Sequence, residues 1–176
     1  MASRGFIELV RLTDLAKARQ TGRNAPEREN WLGIMFELAG QRLVAPLGEV
    51  SEVLAYPELT TMPLTKPWML GVANVRGRLL PLTDLAQFLG LHSEKRLKSR
   101  KVLVIDQEEV FTGLLVDQVF GIGRFSEAQY IAEEPDSMSA FAPYHHGKFS
   151  KDGIEYLVFM PSLLMEDERY LNAASA

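Results

Sequence analysis

The sequence predicts a mainly β chain folded as two small barrels packed against each other, with few and short helices. Three observations predict it. Apolar residues recur with period two in short runs, the spacing of strands with one buried face. Glycine and proline, 13 and 9 of the 176 residues, punctuate those runs as turns between short antiparallel strands require. The order of elements in the first half, a hairpin, a further strand, then a strand running into a short helix, returns in the second half with little identity. Short strands of this kind favour closed sheets, which remove most exposed edges.

Composition supports a packed chain and narrows its chemistry. With 47% hydrophobic residues there is enough apolar material for one domain, or for two small barrels sharing a core. The absence of cysteine removes disulfides, thiol chemistry and cysteine-ligated zinc, and fits a reducing compartment. Glu8, Arg11 and Asp14 interrupt the apolar residues near the N-terminus, and no apolar run reaches membrane-spanning length, so a cytoplasmic protein without direct membrane insertion is expected. A net charge of −4 argues against nucleic acid as a partner and leaves protein.

Residues Met1–Asn30 are expected to be an extension outside the core: a weakly amphipathic stretch, Phe6–Ala18, then a polar linker, Gln20–Asn30, with Gly22, Asn24 and Pro26. Phe6, Leu9, Val10, Leu12 and Leu15 share one broad helix face opposite Arg11, Asp14 and Lys17. A tail docking on its own domain and a partner-binding helix are the two readings.

From Trp31 the period becomes two, with Leu32, Ile34, Phe36 and Leu38 on one face. Ala39-Gly40-Gln41 turns the chain, and Arg42–Ala45 returns as the hairpin partner before Pro46 and Gly48. Val50–Leu54 is a further extended run in which Glu52 is an acid among apolar neighbours, either a charge guarding a sheet edge or a binding residue. Pro57, Pro63 and Pro67 mark a loop that delivers the chain to Trp68, the anchor of the next stretch.

That stretch, Trp68–Leu91, packs strand, turn, strand and capped helix into two dozen residues and organises the rest. Met69–Val75 is apolar apart from Asn74, Arg76-Gly77 turns, and Arg78–Leu82 is extended, with Pro81 placing it near a sheet edge. Asp84 caps a short helix with Gln87 as reciprocal partner, and Gly90 supplies the left-handed stop. His92–Lys101, with five bases against Glu94, reads as a solvated loop ahead of a basic contact patch, since it has no interleaved aromatics. Val102–Ile105 and Val110–Val116 form a second hairpin, Gln118–Ile122 follows, and Ile122–Lys148 is a long loose excursion. Ile154–Met160 is a strand, Ser162–Glu166 a short helix and Asn172–Ala176 a frayed tail.

Gly71-Val72-Ala73-Asn74-Val75-Arg76-Gly77-Arg78, then Pro81, then Asp84-Leu85, resembles the signature of the CheW-like chemotaxis coupling proteins. Phe36–Leu54 and Val102–Ile122 fit the same family, and the resemblance runs from about Trp31 to about Glu166. Within the family the chain is most similar to the stand-alone adaptors of type IV pilus twitching-motility systems. The resemblance implies two SH3-like five-stranded β-barrels with a groove between them, in a CheW-like domain over residues 31–167 flanked by the extension 1–30 and a tail 168–176. It implies a non-enzymatic cytoplasmic adaptor, recruited to membrane-associated arrays, that couples the cytoplasmic tip of a methyl-accepting chemoreceptor to a CheA-type histidine kinase. Carried over position by position, it places the receptor-facing groove at Val50, Glu52, Gly71, Arg76, Gly113 and Val119, with kinase docking at an exposed barrel end. Arg76 either projects to a partner or pairs with Glu52 within the chain.

No catalytic, metal or cofactor site is expected. His145 and His146 are adjacent and point oppositely in an extended segment, and His92 has no ligand pattern around it. Gly121-Ile122-Gly123 lacks the rest of a dinucleotide fingerprint. Two alternatives stand beside the adaptor: a free-standing β-barrel interaction module with a non-chemosensory partner, and a receiver-like phosphoacceptor suggested by Lys101–Glu109. The receiver requires a helix after the acids, where Val110–Val116 alternates as a strand.

Overall fold

The computed structural model describes residues 5–12, 30–107, 109–133 and 136–172. Helix α1 covers residues 5–12. Eleven strands follow among the described residues: β1 (Trp31–Leu38), β2 (Gln41–Pro46), β3 (Glu52–Ala55), β4 (Met69–Val75), β5 (Arg78–Asp84), β6 (Lys101–Gln107), β7 (Val110–Val116), β8 (Gln118–Phe125), β9 (Tyr130–Ile131), β10 (His145–Lys151) and β11 (Ile154–Phe159). Helix α2 (Leu85–Phe88) follows β5, and α3 (Pro161–Leu164) and α4 (Glu168–Leu171) close the chain.

Two mainly antiparallel sheets form, in the orders β8-β1-β2-β11-β10-β9 and β3-β6-β7-β5-β4. Replacing β1, β2, β3, β4 and β5 by β6, β7, β8, β10 and β11 turns the second order into the first, apart from the two-residue β9. The repeat read from sequence is therefore real as architecture, and its halves are interlocked. Each half gives its first hairpin to the sheet that carries the other half's later strands. The parallel pairings β2 with β11 and β5 with β7 are the equivalent joints.

Both sheets bury apolar side chains inside and between them. Phe125, Phe149, Tyr156 and Val158 pack within the six-stranded barrel, and Ala73, Leu80, Leu82, Val102 and Leu115 within the five-stranded one. A third core joins them: Ile34, Phe36 and Leu38 from β1 meet Leu103, Ile105, Leu114 and Val116 from β6 and β7, with Leu85, Leu164 and Tyr170 from α2, α3 and α4. Strand β1 alternates into two cores, Trp31 into its own barrel and Ile34 and Phe36 into the joint. This is the shared core that composition allows.

Local chemistry fixes the turns. Ala39-Gly40, Arg76-Gly77 and Asp152-Gly153 each place two residues at positive φ, the type I′ geometry that suits a twisted two-residue hairpin. Ala39 tolerates this at φ 49° while the Asp117 carboxylate accepts its N–H at 2.8 Å. Asp84 accepts from the Gln87 N–H at 3.2 Å to cap α2, and Leu91 N–H to Ala86 C=O (2.8 Å) closes the C-terminal turn at Gly90, whose φ is 74°.

Several expectations need correction. Strand β5 is not itself an edge but lies beside the edge strand β4; Pro81 is tolerated because pairing with β7 begins one residue later, at Leu82. The extension is not outside the core, since Phe6 and Leu9 are 2% and 0% exposed in the six-stranded barrel. Leu15, the linker Gln20–Glu29 and residues 173–176 lie outside the described residues. Residues 168–171 are not a tail, because Tyr170 fills the joint. The expected excursion from Ile122 to Lys148 is a strand to Phe125, a 3-10 turn capped reciprocally by Ser126 and Gln129, and a strand again from His145. Its aromatic residues Phe125, Tyr130, Phe141 and Tyr144 are buried.

Candidate functional site

The edges of the five-stranded sheet are β3 and β4, and two contacts close its seam. Thr60, beyond β3, exchanges backbone hydrogen bonds of 2.9 Å with Val72 on β4. Gly71 admits this approach, since a Cβ there would lie 2.6 Å from the Thr60 carbonyl oxygen and its φ is 150°. The second contact is the ion pair between Arg76, at the β4–β5 turn, and Glu52 at the start of β3. Arg76 remains 75% exposed and Glu52 23%. The intramolecular pairing that the sequence left open is thus present, with most of the guanidinium still facing solvent.

Backbone register brings three of the six sequence-derived positions into one row across the barrel: Glu52 opposite Val104, Val104 opposite Gly113, Gly113 opposite Leu82, and Leu82 opposite Gly71. Gly113 is internal; a Cβ there would meet Val102 at 2.8 Å and Leu80 and Leu82 at 3.1 Å. Val50 is buried in the core between barrels, and the partly buried Val119 packs on that core. Arg76, Glu52 and the underlying glycines therefore lie on the five-stranded barrel, whereas Val50 and Val119 lie at the joint. A second exposed pair, Arg78 with Asp106 at 2.7 Å, stands beside the first, its guanidinium 3.8 Å above the Phe111 ring.

Sequence reasoning missed a buried ionic hub. Arg100, read as part of a solvated basic loop, turns inward to 7% exposure. It donates to the Lys95 carbonyl from Nε and Nη2 (3.0 and 2.7 Å) and to the Ser93 carbonyl (3.3 Å). Its guanidinium stands 3.4 Å from Asp84 and 3.7 Å from Asp117. Asp117 also accepts from the Ser93 hydroxyl and the Ala39 N–H. One guanidinium thus holds the loop, the α2 cap and the β7–β8 junction to the β1–β2 turn. An acid inside the run Leu114–Val119 was the available signal, the same one that drew attention to Glu52. Glu49 escaped notice too; burial raises its pKa while it accepts the Ser162 N–H of α3 at 2.8 Å.

The C-terminal helix locks the joint. Tyr170 stacks on Trp68 with ring centroids 5.6 Å apart, and its hydroxyl lies 2.6 Å from that of Thr112 and 3.2 Å from that of Thr83. Trp68 is therefore an anchor, as expected, and α4 supplies its partner. Beside it, Tyr144 donates to the Asp167 carboxylate while Arg169 approaches both. Hydrogen bonds from Arg169 and Tyr144 hold Asp167 down at about 2, and burial together with Asp167 pushes Tyr144 up to about 12.

His145 and His146 lie in β10, not in the expected loop. Both ring nitrogens of His145 are buried without a well-aligned hydrogen bond, and burial lowers its pKa against the opposing Gly147 backbone. No group of three or more potential metal ligands occurs among the described residues. No helix among them is long and apolar enough to cross a membrane. Lys101–Gln107 turns directly into β7 as an antiparallel hairpin, and Asp106 pairs with Arg78, so the helix and acidic pocket of a receiver are absent from this part of the described chain.

The class defined by this geometry is a two-barrel β scaffold, with interlocked halves and a common core between the barrels. More particularly, the chain belongs to the family of the CheW-like domain, whose family model matches residues 32–168. It is 43% identical over 146 residues to Protein PilI of Pseudomonas aeruginosa, covering 83% of this chain and 82% of that protein. The chemotaxis protein CheW of Thermotoga maritima is 31% identical over 96 residues, covering 54% of this chain and 63% of that one. The crystal structure of the scaffolding protein TtCheW from Thermoanaerobacter tengcongensis superposes with a TM-score of 0.65 at 21% identity, covering 73% of this chain and 88% of that chain, which supports the fold. The family is one of chemotaxis adaptors.

Proposed function

We propose that this chain couples the cytoplasmic tip of a methyl-accepting chemoreceptor to a CheA-type histidine kinase in a type IV pilus system, acting by binding and without catalysis. The observation that carries the reading is the family match over residues 32–168, which spans both barrels and the core between them. In this reading the adaptor is cytoplasmic and is recruited to membrane-associated receptor arrays.

The receptor surface is assigned to Val50, Glu52, Gly71, Arg76, Gly113 and Val119. Their roles divide by burial. The exposed Arg76 offers directional hydrogen bonds, and Glu52 orients it. Val50 and Val119 are tied to the apolar floor of the joint. Gly71 and Gly113 act from behind, by allowing the Thr60 backbone and the Leu80 and Leu82 side chains to close on the barrel. The kinase docks on an exposed barrel end, barrel to barrel.

The test is reconstitution of the chain with a CheA-type kinase and a soluble receptor signalling fragment. Kinase autophosphorylation should respond to the receptor only when the chain is present, and the three should co-sediment. A kinase rate indifferent to the chain, with no co-sedimentation, would refute the coupling role.

A further inference from the structure

The basic run at residues 92–101 is fastened to the fold from within. Arg100 donates to the carbonyls of Ser93 and Lys95, with Asp84 and Asp117 behind it. A 3-10 turn at Leu97–Ser99 follows, in which the Arg96 carbonyl accepts from the N–H and the hydroxyl of Ser99 at 3.0 and 2.7 Å. One buried guanidinium thus fixes the course of the run, and what the run turns outward is charge. Arg96, Lys98 and Lys101 are exposed, with Leu97 40% exposed between the first two. Arg42, Arg76, Arg78, Lys148 and Arg169 each pair with a carboxylate, whereas among the described residues Arg96, Lys98 and Lys101 pair with none. In a chain of net charge −4, an ordered cationic edge left unpaired is complementary to an acidic partner.

Beside that edge the chain leaves its ladder. Pairing of β3 with β6 ends at Ala55, opposite Lys101, and contact with β4 begins at Thr60. Residues 56–59 run between the two outside both sheets, and with Lys98 they line an open hollow of about 540 Å³. Tyr56, Pro57 and Leu59 give the hollow apolar walls, and Lys98 gives it a cationic rim. Glu58 in the lining and Glu94 in the run offset part of the charge. A hollow of this size holds one large apolar side chain with the backbone on either side of it. An apolar seat flanked by lysines is suited to a peptide whose anchor residue has carboxylates as neighbours.

We propose that this face is a binding site for an acidic segment of a partner protein, with one leucine-like side chain in the hollow and carboxylates on either side meeting Lys98 and Lys101. It lies at the far end of β3 from Glu52, so it is separate from the surface assigned to the receptor and does not rest on that assignment.

The probe is a labelled peptide, Asp-Glu-Leu-Glu-Asp, with Lys-Lys-Leu-Lys-Lys as the charge-reversed control, each added to the full chain and followed by fluorescence anisotropy and backbone amide NMR. The acidic peptide should move amide signals within residues 56–59 and 96–101, and the control should not. Lys98→Glu, at an exposed side chain, should weaken binding about 10-fold and leave thermal unfolding unchanged. An acidic peptide with alanine in place of leucine should also bind about 10-fold more weakly, since it forfeits most of the buried apolar area. Binding should fall as ionic strength rises from about 0.01 to about 1 M, over which the screening length contracts from about 30 to about 3 Å. No binding, signals that move only elsewhere, or equal affinity of Lys98→Glu would overturn the proposal. Vesicles of phosphatidylserine and phosphatidylcholine are the second arm. If they bind the chain through Lys98 while the peptide moves no signals, the occupant is a membrane surface and the proposal falls.

Discussion

Replacing Arg76 by alanine separates a structural ion pair from a binding contact. In the folded chain Arg76 pairs with Glu52 across the barrel seam, but its side chain is 75% exposed and that of Glu52 is 23% exposed. A pair so open to solvent contributes about 0–1 kcal/mol. The backbone bridge between Thr60 and Val72 closes the same seam without it. Unfolding of Arg76→Ala should therefore shift by no more than about 4 °C, the upper end for 1 kcal/mol in a chain of this size. Binding should respond far more. An interface arginine with directional hydrogen bonds is worth about 2 kcal/mol on truncation, or about 30-fold in Kd. The assay is a double-mutant cycle with Glu52→Gln, read by thermal unfolding and by calorimetric titration with a receptor tip fragment. Arg76→Ala should weaken binding by about 30-fold in the unmodified chain and by a smaller factor once Glu52→Gln has removed the carboxylate that orients the guanidinium. Unchanged receptor affinity would remove Arg76 from the surface, and a loss of stability above about 2 kcal/mol would make its role structural.

Three further outcomes are expected. Arg100→Met should cost about 3–5 kcal/mol in urea unfolding, because it strands Asp84 and Asp117 beside one another, and Arg100→Lys should not restore it, since one ammonium cannot serve the same carbonyls and carboxylates. Stability should also depend on pH at both ends. His145 has a lowered pKa, so the unfolded chain binds the proton more readily and stability falls as pH drops below about 6.5; His145→Phe should flatten that slope in pH-resolved thermal melts. Tyr144 is raised to about 12, so its contribution is whole below pH 10 and is lost as pH rises through 12, and Tyr144→Phe should remove this alkaline limb. Gly71→Ala should cost about 1–3 kcal/mol from backbone strain, plus the displacement of Thr60, visible as lost hydrogen-exchange protection at Val72.

Local elements were legible because their causes are local. The Arg76-Gly77 turn, the Asp84 cap and the Gly90 stop each depend on residues within a few positions of one another and form where they were read, although the cap is one-sided, since the Asp84 N–H donates to the Trp68 carbonyl instead of to Gln87. The candidate surface was legible only as a resemblance. Its chemistry could not be ranked from sequence, since Glu52 and Arg76 are 24 positions apart and meet only when the barrel closes. Gly113, placed in the groove by the resemblance, has the Val102, Leu80 and Leu82 side chains packed against it, which no local pattern announces.

By itself, then, the sequence determined most of the strands, β9 and β10 excepted, with their turns and the repeat of their order, because period-two burial and turn chemistry act over a few residues. Which hairpin joins which sheet was decided by tertiary structure. Nothing in a strand's alternation says whether its partner comes from its own half or the other, and the interlocked arrangement arises because each half's first hairpin finds its neighbours across the chain. The same reason placed Arg100 inside. In a run of five bases every side chain looks alike, and only the meeting of Asp84, Asp117 and two loop carbonyls at one point makes burying one of them favourable.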